Sequence, residues 1–73
     1  MIKVVREYVS TKYANAEKQW DVIHETNGKR RWFYYCESGG GLPKTAQKFM
    51  EGKTPIPYND DIFHERGYIY QED

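Results

Sequence analysis

Residues 37–49, "ESGGGLPKTAQKF", set three consecutive glycines ahead of Lys44 and Thr45, at a point where a helix can begin. A glycine-rich turn into a helix is how backbone N–H groups converge on a phosphate, with lysine completing the cradle. The pattern that does this, G-x-x-x-x-G-K-[ST], fails here on chemistry. Ser38 stands where the first glycine belongs and Pro43 where the second belongs, and proline has no N–H to donate. A chain of 73 residues also leaves no room for the parallel βαβ fold that carries such a loop. The glycines therefore read as a connector from strand to helix. A weak attraction of Lys44 and the helix start for an anion is the residual functional reading.

Cys36, His24 and His64 are the only residues suited to nucleophile, general-base or soft-ligand roles. On the pairing argued below, Cys36 and His24 sit five residues apart along a hairpin, about 17 Å at ~3.4 Å per residue. Cys36 and His64 lack a third orienting group, and no second cysteine completes a metal-binding pair. Cys36 is expected to pack as a small, inert hydrophobe. The carboxylates Asp60, Asp61, Glu65, Glu72 and Asp73 read as a solvated acidic end rather than an acid-base pair. No catalytic residue, metal or cofactor is expected, and the chain reads as a non-enzyme.

Two features suit binding instead. "NGKRRWFYY" interleaves three cations with four rings, the combination that holds phosphates and stacks bases in single-stranded nucleic acid binders. "PYNDDIFHERGYIYQED" is acidic and rich in tyrosine, which suits docking on a basic site of another protein.

These residues need elements to hold them. "IKVVREYV", residues 2–9, reads as a strand whose adjacent Val4 and Val5 break the alternation, as a bulge would. "STKYANAEK" is a polar connection with a helical turn around Ala14 to Glu17. Asn27-Gly28 supplies the positive φ angles of a two-residue type I′ hairpin between two β-rich runs. Thr26 then faces Lys29, and Glu25 faces Arg30 as a favourable cross-strand charge pair. Trp20, Val22, Phe33 and Tyr35 share the face expected to point inward. Trp32 and Tyr34 share the other with Asp21, Glu25 and Arg30, a mixture that wants water or a polar partner.

"LPKTAQKFMEG" reads as a helix from Pro43 to Glu51, with Gly52 as its stop and Leu42, Ala46, Phe49 and Met50 toward the sheet. "KTPIPY" runs extended. "NDDIFHERG" carries helix grammar, with Asn59 as N-cap and Gly67 as stop, although a hairpin across "HERGY" competes with it. "YIY" reads as a last strand or a docking segment. The expected fold is one α+β domain over residues 1–73: a three-stranded antiparallel sheet with the Asn27-Gly28 hairpin at its centre, one packed helix and a second short helix near the C-terminus.

Trp20 to Gly52 resembles the three-stranded, one-helix arm-binding domain of phage tyrosine integrases, through "NGKRR" at a turn and "GLPKTAQKF" opening a helix. The acidic final segment and zero net charge depart from what a DNA arm needs, so no residue role is carried over from that family.

Composition sharpens the ranking. The aromatic share is 16%, with seven tyrosines, two tryptophans and a single leucine, Leu42, so rings and β-branched residues must build the core. Lys/Arg against Asp/Glu runs four to four in residues 1–28, six to two in 29–53 and one to five in 54–73. "MIKVVREYVS" is too charged for a signal-peptide core or membrane span, and one cysteine suits a reducing setting, so a soluble cytoplasmic protein is expected.

The leading expectation is a small protein-binding module, of the inhibitor or adaptor kind that compact phage or mobile-element genomes encode. Its contacts would be Arg30, Trp32, Tyr34, Tyr58, Asp60, Asp61, Tyr68 and Tyr70. The alternative is nucleic-acid binding through Lys29, Arg30, Arg31, Lys44 and Lys48. Homo-oligomers are a further option, since two-sided aromatic strands find cover in a second copy.

Overall fold

The structure, a computed structural model, describes residues 1–71; Glu72 and Asp73 of the expected acidic end lie outside the described residues. Five strands form one antiparallel sheet: β1 (Ile2–Ser10), β2 (Gln19–Thr26), β3 (Lys29–Cys36), β4 (Ile56–Asp60) and β5 (Glu65–Gln71). Their spatial order is β3-β2-β1-β5-β4. One helix, α1 (Lys44–Met50), follows a 3₁₀ turn at Glu37–Gly39. The α+β class stands, but the sheet has five strands, not three. The Asn27-Gly28 hairpin also lies at one side of the sheet rather than its centre, because β1 pairs with both β2 and β5.

Asn27 and Gly28 both take positive φ, 53° and 77°, and Thr26 pairs with Lys29. Trp20 faces Tyr35, Val22 faces Phe33 and Glu25 faces Arg30, with Arg30 Nε donating to Glu25 Oε2 at 3.2 Å. The register of β1 on β2 shifts between Ile2 and Val5, where the two valines interrupt the alternation.

The second short helix is absent. Residues 56–60 and 65–71 pair as a hairpin, Asp60 against Glu65 and Tyr58 against Gly67. Asp60, not Asn59, organises the turn, its carboxylate accepting from the N–H groups of Ile62 and Phe63 at 3.0 and 3.1 Å. His64, at φ 54°, then reverses the chain. Residues 14–17 likewise form a turn and no helix.

Segment 37–55 leaves β3 at one edge and delivers the chain to β4 at the other, so α1 crosses one face of the sheet. Ala46 of α1 meets Val5, Trp20 and Val22 of the sheet, all four buried, with Ile2, Tyr35, Leu42, Phe49, Met50 and Tyr70 packed around them. The apolar spacing of α1 is what aims Ala46, Phe49 and Met50 down. A seven-residue helix cannot roof five strands. Phe33, expected inside, is on the covered face yet 41% exposed.

Candidate binding surface

Strand alternation sorts side chains onto two faces. The face turned away from α1 carries Arg6 and Tyr8 from β1, Asp21 and Ile23 from β2, and Arg30, Trp32 and Tyr34 from β3. Ile69 joins them from β5, with Tyr58 and Asp60 from β4. It holds a small interior of its own, because Ile23 and Tyr8 are buried to 7% and 8% exposure. Trp32 and Tyr34, by contrast, stand 66% and 58% exposed on the adjoining strand.

Arg6 organises the middle of this face. Its Nε donates to Asp21 Oδ2 at 3.1 Å, and its guanidinium lies 3.5 Å from Glu65 Oε2 as an ion pair. The same group sits 4.2 Å from the ring centre of Tyr8 and 5.6 Å from that of Tyr58. Tyr8 and Tyr58 flank Gly67 in one cross-strand row, so the cation is bracketed by two rings across a residue with no side chain. Partial burial disfavours the charged guanidinium, but the hydrogen bond and charge of Asp21 outweigh it and raise the pKa of Arg6. Tyr8 donates its hydroxyl to Asp21 Oδ1 at 3.2 Å, and burial, aided by Asp21, pushes its pKa up to about 12. Burial also raises Tyr58. Arg6, Asp21 and Tyr8 are thus bonded to one another, the Tyr58 hydroxyl is buried without a hydrogen-bond partner, and Trp32 and Tyr34 are the most exposed rings of this face.

Gly67 was expected to stop a helix. It is instead the most crowded of the chain's glycines: a Cβ there would fall 1.9 Å from the Glu7 carbonyl oxygen and 2.7 Å from Tyr8 Cα.

The eight expected contacts are divided by the fold. Arg30, Trp32, Tyr34, Tyr58 and Asp60 share the open face, but β3 and β4 are opposite edges of the sheet. Tyr68 and Tyr70 pair with Glu7 and Val5 and therefore point to the covered face, where Tyr70 packs on the core. Asp61 lies in the β4–β5 turn and is exposed. The cations of the alternative set are divided as well. Arg30 is on the open face with Glu25, whereas Lys29 and Arg31 share the covered face, and Lys44 and Lys48 are exposed on α1.

Two clefts beside α1 bring part of the alternative set together. One, about 560 Å³, is lined by His24, Lys48, Phe49 and Lys53 among others. Its neighbour, about 380 Å³, is lined by His24, Lys29, Arg31 and Phe33 with Thr26 and Asn27. Neither wall contains a carboxylate. His24 belongs to both, stacked edge-on against Phe33 at 4.9 Å between ring centres. Lys53 was absent from the expected cationic set and His24 from the expected contacts, and only the fold brings them to these clefts.

Cys36, His24 and His64 are not assembled. Cys36 is half-buried on the open face with Sγ 3.5 Å from Ser38 Oγ, His24 is on the covered face, and His64 is in the turn at the far edge. Among the described residues no group of three His, Cys, Asp or Glu side chains could hold a metal ion. No helix among them is long and apolar enough to cross a membrane. Compared with protein-family models, curated proteins and solved structures, the chain gives no match.

Proposed function

We propose that this chain is a small, non-enzymatic binding module whose open sheet face docks on another protein, in the manner of an inhibitor or adaptor. The observation that carries the reading is the contrast within that face. Asp21 is hydrogen-bonded to both Arg6 and Tyr8, and Glu65 is ion-paired with Arg6, so the charges in the middle of the face are spent on one another, while Trp32 and Tyr34 hold large amphipathic rings in water. Rigid aromatic side chains on a sheet lose little conformational freedom when covered, which is why such rings anchor interfaces. Asp60 and Asp61 lie at the far margin of the face, where carboxylates steer an encounter more than they hold it.

The test is photo-crosslinking from positions 32 and 34 in the native host, followed by affinity measurement with the captured protein. Trp32→Ala and Tyr34→Ala are each expected to weaken binding at least tenfold while leaving the fold intact. Unchanged affinity in both would end the reading.

A second reading rests on the carboxylate-free clefts. Lys29, Arg31, Lys48 and Lys53 around Phe33 and Phe49 form a cationic strip with rings, which suits a single-stranded nucleic acid. Binding there must weaken steeply with salt. Titration of single- and double-stranded DNA and RNA at two salt concentrations decides it, and flat signals throughout would dismiss it.

A further inference from the structure

The two edges of the sheet are finished differently. On β4, Pro57 lies within the pairing with β5 and Pro55 just before it, so two backbone donors are missing there. Such prolines blunt an edge against pairing with another chain. β3 has no proline, and its edge carries the cations Lys29, Arg30 and Arg31 instead.

The hairpin decides which backbone groups β3 leaves outward. In a two-residue turn the flanking pair, Thr26 and Lys29, exchanges both hydrogen bonds, and bonding pairs then alternate along the ladder. The N–H of Glu37 donates to the Lys18 carbonyl at 3.2 Å, which continues the same odd-numbered series at the other end. Lys29, Arg31, Phe33 and Tyr35 therefore turn their N–H and C=O groups toward β2. Arg30, Trp32 and Tyr34 turn theirs to the outside. All residues from Lys29 to Tyr34 are exposed.

The strand "KRRWFYY" complements itself when reversed. Set antiparallel to a copy with Trp32 opposite Trp32, it places Arg30 against Tyr34, Arg31 against Phe33 and Lys29 against Tyr35. Every cation meets a ring, and the three outward residues of each copy bond each other in full. A register centred on Arg31 would oppose two like charges. One centred on Phe33 would call on Cys36, whose carbonyl already accepts from the Gly41 N–H at 3.0 Å.

We infer that β3 is a homodimerisation edge, pairing antiparallel with β3 of a second copy about a two-fold axis at Trp32. Two five-stranded sheets then join into one of ten strands. Charge on an edge strand normally repels a neighbour; here the cations are what select the register. The dimer sets two open faces side by side, with the two Trp32 rings at their seam. The inference does not depend on the docking function, since it concerns purified chain alone.

Sedimentation equilibrium from about 1 µM to about 1 mM covers the range of weak to moderate association. The chain is expected to pass from monomer to dimer, and Trp32→Lys, which places two ammonium groups at the axis on an already exposed position, to remain monomeric throughout. Hydrogen exchange supplies the second readout. Raising the concentration is expected to slow the Arg30, Trp32 and Tyr34 amides selectively, leaving those of Arg31 and Phe33 unchanged because they are bonded to β2 already. A wild-type chain that stays monomeric, a Trp32→Lys chain that still dimerises, or a dimer without alternating protection would each overturn the inference.

Discussion

Gly67→Ala is a severe test of the packing described above. The added methyl carbon would lie 1.9 Å from the Glu7 carbonyl oxygen, whereas ordinary contact begins at 3.4 Å. The obstacle is backbone, so no rotamer change relieves it, and β5 must move about 1.5 Å away from β1. Hydrogen bonds of ~2.9 Å do not survive such a shift. Two flanking ladder bonds at about 1 kcal/mol each, added to overpacking of about 1–3 kcal/mol, give a loss of roughly 3–5 kcal/mol. A domain of this length is stable by only about 4–11 kcal/mol, at ~0.05–0.15 kcal/mol per residue. The control is Gly28→Ala, where a Cβ meets nothing within 4 Å and only the φ of +77° is at issue. It should cost about 1–2 kcal/mol. Urea unfolding followed by circular dichroism compares the two. With an m-value near ~1 kcal/mol/M for so small a chain, Gly67→Ala should lower the midpoint by roughly 3–5 M or leave no folded baseline. A Gly67→Ala chain at least as stable as Gly28→Ala would refute the close approach of β5 to β1.

Further outcomes follow from the Arg6 cluster and the hairpin. Tyr8 ionises at about 12 in the fold and near ~10 when unfolded, so the unfolded chain releases that proton first. Stability is therefore full below pH ~10 and drains as the pH rises toward ~12. Urea midpoints across that range should show the decline, and Tyr8→Phe should blunt it without abolishing it, because Tyr58 and Tyr70 are also raised. At neutral pH Tyr8→Phe should cost about 0.5–1.5 kcal/mol for the lost bond to Asp21. Asp21→Ala removes partners from both Arg6 and Tyr8 and should cost about 2–4 kcal/mol in the same assay. Arg30→Ala breaks only an exposed pair with Glu25 and should cost under ~1 kcal/mol. Asp61→Lys combined with Asp60→Asn, which keeps the acceptor for the Ile62 and Phe63 N–H groups, should slow association with a captured protein partner, measured by stopped flow, more than it speeds dissociation.

The hairpin was legible because two local signals agree: Asn-Gly dictates the turn, and the Glu25–Arg30 pair fits the register that turn imposes. Helix α1 was legible through its apolar spacing and the Gly52 stop. The last third was misread for a chemical reason. Asn59 followed by two acids matches a capped helix start, yet Asp60 one residue on accepts from the N–H groups of Ile62 and Phe63, a side-chain-to-backbone bond that serves a hairpin turn as well as a helix cap. Only the left-handed backbone of His64 separates them. Strand β4, five residues including Pro57, has no periodicity to find. With β4 missed and β5 seen only as "YIY" without its partners, sequence reasoning could not assign faces to Tyr58, Tyr68 and Tyr70, and the Arg6 bracket was invisible because its members come from β1, β2, β4 and β5. The one local hint was Gly67, a glycine beside tyrosines, which marks a close backbone approach as readily as a helix stop.

The sheet order has a temporal consequence. Strand β1 is the middle strand, and one of its two neighbours, β5, is the last of the described strands to be made. A nascent chain emerging from a ribosome can zip β2 to β3 early, but one flank of β1 must wait unsatisfied until residues 65–71 clear the exit tunnel. Through that interval Arg6 has Asp21 without the Tyr58 ring or Glu65. Emergence of residues 65–71 from the exit tunnel, rather than hairpin formation, therefore sets the moment at which the domain locks.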